Sequence, residues 1–303
     1  MNKFDIERLK INDEIKNFQR IARNIKPSPG EIPRLPGIEI YGQTTPLNGD
    51  VGGDHFIYVD FNKRFDMDAR IREALLHGNH DIAGKLEETR QKAGILLADV
   101  SGHSITDALV SAMLHQAFLV GASYELTLNG EITVELFETI NLRFHQSSSV
   151  EKYMTLLYGE IHQYGEFRFI SAGHPLPVVF SQEYNRLSML GRNQMTIFPP
   201  IGTIPSGSHV DAGQYHSLFG EKAPYAVNSM NIMGKGDILL LFTDGFTDQQ
   251  RGAADYIDQR LEEHLTQVKH DTAEHIVKSI YNDFHEHYGP PDDDATLIAV
   301  KKC

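Results

Sequence analysis

Apolar side chains recur along this chain with two different periods. Near the start Phe4, Ile11, Phe18 and Ile25 stand seven residues apart, with Ile15 and Ile21 between them and charged residues at most other positions. Residues 1–26 therefore predict one amphipathic helix, and Pro27, Ser28, Pro29 and Gly30 end it. Such a helix has two uses: packing on its own domain, or pairing with another helix through the heptad seam, which predicts a homodimer or contact with a sensor. From Gly37 onward short apolar or alternating runs predict strands at 38–41, 55–61, 94–100, 154–162, 167–171, 177–180, 237–243 and 296–300. Tyr164 and Gly165 between two of these runs predict a hairpin. Helical periods appear at 104–119, 131–144 and 271–288.

Strands in neighbouring pairs with helices grouped between them argue for antiparallel sheets packed with helices, an α+β fold, and against a repeating βαβ unit. The punctuation divides the chain into an N-terminal helix and linker at 1–29 and a single domain at 30–303. Two stretches within that domain are long. Residues 62–92 are charged, with Ile71, Leu75, Ile82 and Leu86 spaced to line one face of helices, which predicts an inserted helical segment. Residues 181–235 are rich in Gly, Pro and Ser without a period and predict a long loop region, the kind of segment that lies over a functional site.

Composition narrows the function. The 303 residues are 41% hydrophobic and 9% aromatic, enough for a sizeable core. No apolar run reaches the roughly 18 residues that span a bilayer, and the charged opening MNKFDIERLKINDEIK does not resemble an export leader. The single cysteine, Cys303, allows neither an internal disulfide nor a cysteine-ligated metal; together these predict a cytoplasmic protein. With 41 acidic against 28 basic side chains the net charge is -13, which argues against a nucleic-acid partner. An anionic substrate would need the local field reversed, as bound cations do.

The candidate chemistry lies in four glycine-and-aspartate punctuations at strand ends: VGGD at 51–54, ADVSGH at 98–103, FTDGFTD at 242–248 and DDDAT at 292–296. A lone Asp at a strand end is ordinarily a turn former. Four together point elsewhere. Asp99 and Asp244 close the apolar runs AGILLAD and DILLLFTD, which places carboxylates at the edge of a core, where they repel one another and lose hydration. Divalent cations remove both penalties, and an oxygen-only set selects Mn2+ or Mg2+ over Zn2+. Gly52, Gly53, Gly102 and Gly245 let backbone approach ions and phosphate. Two ions about 3.5–4 Å apart can acidify a shared water for in-line attack on phosphorus. No G-x-S-x-G elbow, P-loop or cysteine at a strand-to-helix turn offers a protein nucleophile.

The ordered set VGGD, ADVSGH, SAGHPLP, GDILLLFTDGFTD and DDDATLIAV resembles the SpoIIE-like, RsbU-like branch of the metal-dependent (type 2C, PPM) serine/threonine protein phosphatases, over roughly residues 30–302. The resemblance implies a four-layer α/β/β/α sandwich, two antiparallel sheets face to face flanked by helices, with two Mn2+ or Mg2+ ions at one end. It implies Asp54 and Asp99 as the ligands nearest both ions, Asp99 bridging, with the Val100 carbonyl as a further ligand and Asp244 and Asp293 completing the first ion. Asp294 stands where relatives carry Asn or Asp. The implied substrate is a phosphorylated bacterial signalling protein such as an anti-sigma-factor antagonist. The chain departs from the common GHG by reading Gly102, His103 and Ser104, and its interval between the first two motifs is longer.

His103 is the candidate general acid for the leaving hydroxyl; capping the following helix is the other role open to it. His174 reads as a turn residue, Asp50 and Asp248 as solvated or supporting groups, and Asp292 as flanking charge. Two further functions compete with the protein phosphatase: a phosphatase-fold interaction or regulatory protein of little catalytic power, and a two-metal hydrolase of small phosphoesters.

Overall fold

The computed structural model describes the chain except residues 1–2, 26–27, 48–51, 103–104, 148–152, 190–194, 208, 215–216, 218, 233 and 250–254. Elements are numbered in chain order. One antiparallel sheet runs β1 (Ile38–Thr45), β10 (Ala295–Lys302), β9 (Ile238–Phe242), β6 (Val178–Ser181), β7 (Arg186–Met189). The other runs β2 (His55–Asp60), β3 (Lys92–Val100), β4 (Met154–His162), β5 (Glu166–Ala172), β8 (Asn228–Asn231).

Strand periodicity explains how the sheets stack. In β3, Ile95 and Leu97 point into a core shared with Leu239 and Leu241 of β9 and Ile298 and Val300 of β10. The alternate residues Leu96, Ala98 and Val100 point the other way, into a core with Leu114 and Phe118 of α5 (Ile105–Leu128) and Phe137 of α6 (Val134–Ser147). On the far side Leu240 and Phe242 meet Ile276, Ile280 and Phe284 of α9 (Ala273–Tyr288). Both faces of the central strands are buried, so they read as continuous apolar runs such as ILLLF. The result is the expected four-layer α/β/β/α sandwich.

Between β2 and β3 lie three helices, α2 (Phe61–Arg64), α3 (Met67–Leu76) and α4 (His80–Thr89). Asp60 and Asp66 cap the first two by accepting backbone N–H bonds. Ile71 and Leu86 are buried against the α5 side of the core, whereas Leu75, expected on the same face, is turned to solvent. Helix α5 runs on to Leu128, past the expected end at 119, because Gly121 permits close packing on Leu136 and the turn into Gly130, at φ +74°, comes only later. Helices α7 (Tyr256–Gln259) and α8 (Leu261–Val268) were not expected.

The stretch 181–235 is not all loop: it supplies both short edge strands, β7 and β8. Backbone bonds tie Phe198 to Ser171 and Gly173, and Ile201 to Met154. Asn141 of α6 holds the same segment, accepting from Gly202 N and donating to Ile204 O at 2.9 Å each. Further along, Lys222 sits with Nζ 3.0 Å from both Glu138 oxygens and 3.4 Å from the Tyr225 ring centre, the two charged side chains 4% and 2% exposed. The Tyr225 N–H also donates to Glu138.

Helix α1 (Lys3–Ile25) lies beside α5. Ile11, Ile15 and Ile21 remain 57%, 45% and 47% exposed, so the seam is not consumed by the domain.

A buried ion pair is most costly when one partner is removed. Glu138→Ala and Lys222→Met are each expected to destabilise the chain by about 3 kcal/mol in urea unfolding, because each leaves the other charge buried without its partner, and the double variant should cost less than the sum of the two.

Candidate functional site

Strand register fixes one end of the sandwich as a meeting point. In the second sheet Asp99 lies opposite Thr155, and His55, just after Asp54, opposite Ala98. In the first sheet Phe242, just before Thr243 and Asp244, lies opposite Leu297, next to Thr296. The carboxylates of three distant motifs are thereby brought to the same edge by ladders whose register the cores enforce.

Asp54 is buried, and its Oδ2 accepts hydrogen bonds from Thr243 Oγ1 at 2.8 Å and Thr296 Oγ1 at 2.6 Å. A carboxylate rooted in one sheet is thus oriented by two hydroxyls of the other. Thr243 Oγ1 also accepts from Thr296 N at 2.8 Å, and Thr44 Oγ1 lies 2.9 Å from Thr296 Oγ1. Burial, opposed by these hydroxyls and reinforced by Asp294 and Asp244, pushes the Asp54 carboxyl up to about 7. Asp99 is pushed up to about 9 by burial and then by Asp54, Asp244, Asp293 and Asp294, every contribution in the same direction. Asp244, which opens a short 3-10 turn over Asp244–Phe246, is pushed up to about 6 by burial and then by Asp248 and Asp293.

Asp294 does something different. Its Oδ1 accepts from Leu47 N at 2.7 Å and its Oδ2 from Gly53 N at 2.6 Å, with Asp54 N at 3.4 Å. It clamps the turn that carries Asp54. The turn admits no side chain: a Cβ on Gly52 would stand 2.0 Å from Asp294 Oδ2, and one on Gly53 2.8 Å from the carbonyl oxygens of Val100 and Gly102. The Val100 carbonyl therefore faces the Asp54 turn. Gly245 is equally constrained, its Cβ position being 2.3 Å from Asp294 O. From the helical side Ser111 Oγ donates to Gly53 O at 2.5 Å, and His55 Nε2 lies 2.7 Å from His115 Nδ1, which burial holds down to about 4.

The structure thus brings Asp54, Asp99, Asp244 and Asp293 into one electrostatic neighbourhood, with the Val100 carbonyl beside it. Among the described residues no three carboxylate or imidazole groups already enclose a common point. As a donor set the carboxylates are oxygen-only, desolvated and mutually repelling, and the glycine turns leave room for close backbone approach, so the residues fit a hard divalent cation. His103 and Asp50 lie outside the described residues. His174 follows Gly173, whose φ is +69°, and is more than a turn residue: it is buried with Nδ1 2.8 Å from Thr155 Oγ1. Thr243, Thr296 and Ser111 are positioning residues the motifs did not single out, although both threonines lie inside FTDGFTD and DDDAT.

With the geometry in view, comparison with known proteins is specific. The family model described as Stage II sporulation protein E (SpoIIE) matches residues 89–302, and the chain belongs to that family. Phosphoserine phosphatase RsbP of Bacillus subtilis (strain 168) is 25% identical over 222 residues, 73% of this chain and 49% of that protein. Phosphoserine phosphatase RsbU of the same organism is 22% identical over 305 residues, 96% of this chain and 72% of that protein. The chain therefore spans about half the length of RsbP. The SiaA-PP2C domain of Pseudomonas aeruginosa has the same fold, with a TM-score of 0.61 at 16% identity, covering 97% of this chain and 98% of that one.

The raised carboxyls set a pH signature for the metal-free protein. A carboxyl with a folded pKa above its unfolded value costs stability as pH rises between the two. Buried His115 and His174, held down to about 4 and about 3, act oppositely, but only below their unfolded value of about 6.5. Above about pH 7 the Asp99 contribution remains, until its pKa of about 9. In chelator, the melting temperature is expected to fall by a few degrees over that interval, and Asp99→Asn should flatten the fall.

Proposed function

We propose that this chain is a divalent-metal-dependent phosphoprotein phosphatase that hydrolyses phosphoserine or phosphothreonine on a signalling protein. The observation that carries the reading is the convergence of Asp54, Asp99, Asp244 and Asp293, whose burial and mutual repulsion raise Asp54, Asp99 and Asp244 together. Two curated relatives named as phosphoserine phosphatases support it.

The four aspartates and the Val100 carbonyl would hold two Mn2+ or Mg2+ ions. Bound there, the cations would supply an acidified water as nucleophile and neutralise charge on the transferring phosphoryl group. The protein's own part is orientation. Thr243 and Thr296 fix the Asp54 carboxylate by donating to one oxygen, which also favours its charged form. Asp294 fixes the Gly52–Gly53 turn so that Asp54 cannot swing away. The bare glycines let Asp294 and the Val100 and Gly102 carbonyls pack directly on the turns that carry Asp54 and Asp244. Proton donation to the departing hydroxyl is assigned to His103, which follows the described Gly102 turn.

The expected substrate is a phosphorylated protein of the kind represented by anti-sigma-factor antagonists, in the cytoplasm. The exposed isoleucines of α1 support contact of residues 1–26 with a second copy or a sensor. An interaction protein of little turnover is the other reading, motivated by Gly102-His103-Ser104 in place of the common GHG.

Purified protein is expected to hydrolyse para-nitrophenyl phosphate and a phosphoserine peptide only with Mn2+ or Mg2+. Asp99→Asn should lower turnover by on the order of 10²-fold or more. Turnover undiminished in excess chelator, or in Asp99→Asn, would overturn the mechanism, and Mn2+ binding without turnover would favour the interaction protein. Light scattering should give a larger mass for the full chain than for one lacking residues 1–28 once the difference in length is allowed for; equal assembly states would remove the α1 contact.

A further inference from the structure

Next to the carboxylate cluster a cavity of about 550 Å³ opens between the two sheets' ends and the segment leading into α7, and Asp244 forms part of its wall. This is the size range of ligand sites, roughly 300–1,000 Å³. Thr155, the residue directly across the ladder from Asp99, lines it together with His174. These two bring no charge to it, since burial holds the His174 imidazole down to about 3. Part of the lining is apolar, Leu176, Pro177, Ile197 and Ile257, and Ile197 is left 40% exposed.

The lining is also acidic. Asp255 caps α7 by accepting from Asp258 N at 2.9 Å, and both carboxylates line the cavity. Among the described residues neither is in an ion pair with Lys or Arg, and no Lys or Arg lines the cavity. The adjacent cation in sequence, Arg260, is committed to Asp283 at 3.1 Å and Glu263 at 3.5 Å. A groove lined both by aliphatic side chains and by carboxylates without a Lys or Arg partner among the described residues is complementary to a chain segment with a greasy side chain and a cationic one.

We propose that this cavity seats the segment flanking the phosphorylated residue, and that it selects a segment carrying a large aliphatic residue and a Lys or Arg close to the phosphoserine. The inference rests on the phosphatase reading for what lies beside Asp244, and adds the substrate's local sequence. The phosphoryl group belongs at the aspartate end, the aliphatic side chain against Leu176 and Ile197, and the cation between Asp255 and Asp258. Asp258 is the specificity-determining residue open to substitution, because it is exposed and its structural bond to Asp255 is made by its backbone N–H.

The test is fluorescence anisotropy of labelled peptides, in Mn2+, in which a non-hydrolysable phosphonate replaces the phosphate of one serine. One peptide has Leu and Lys near that serine, a second Leu and Glu, a third Ser and Lys. The first should bind about fivefold or more tightly than either other, as partly shielded charge pairs allow. Asp258→Lys should erase the Lys-over-Glu preference. Asp81→Lys makes the same charge change on α4, on a side chain 88% exposed, and should keep it. Equal binding of the three peptides, no binding of any, or a preference that survives Asp258→Lys overturns the proposal, as does its loss in Asp81→Lys, which would reduce it to overall charge. Turnover of para-nitrophenyl phosphate by the unaltered protein reports separately on the phosphatase reading. Its absence with the peptide preference intact would sink that reading and leave a groove for basic, apolar segments.

Discussion

Crowding of buried carboxylates is the constraint around which this molecule is arranged. Asp99 is raised by burial and by four other aspartates, all in the same direction, so the site stores repulsion that the fold must contain. Containment comes from hydrogen bonds that cross between layers. Two threonines of one sheet grip Asp54 of the other, and Asp294, from the loop before β10, grips the turn that carries it. Each grip uses a short side chain and a fixed backbone, so little conformational freedom is left for the carboxylates to relieve their repulsion by moving apart.

That rigidity is inherited from the sandwich. A sheet buried on both faces cannot slip by one residue without turning its apolar side chains into the wrong core, and β3 and β9 are apolar on both sides. Their ends are therefore dependable anchor points. Helix α5 adds a contact from outside the sheets, where Ser111 holds the Gly53 carbonyl and His115 meets His55. Helix α6 holds the segment that runs along β4 and β5 through Asn141 and Glu138.

Much of this was legible in the sequence, and the reasons are physical. The central strands were visible because burial on both faces demands unbroken apolar runs, and 154–162 matches β4 (Met154–His162) at both ends. The aspartates were visible because Asp99 and Asp244 close such runs and Asp54 and Asp293 stand just before others. Strands β7 and β8, RLSM and NSMN, were hidden because edge strands are short and partly polar. The end of α5 was missed because a helix apolar on nearly all sides gives no amphipathic period to follow. Leu75 was misplaced because spacing alone does not say which flank of a face meets the core. At the site, Thr243 and Thr296 sat in plain view inside the motifs. Only the pairing of β9 with β10 reveals that both hydroxyls meet one carboxylate.

If the aspartates are gathered to hold cations, Mn2+ should settle among them. Anomalous diffraction from Mn2+-soaked crystals tests it most directly. The account predicts manganese peaks among Asp54, Asp99, Asp244 and Asp293, adjoining the Val100 carbonyl. Peaks bound elsewhere on the surface, with none among these four side chains, would contradict it.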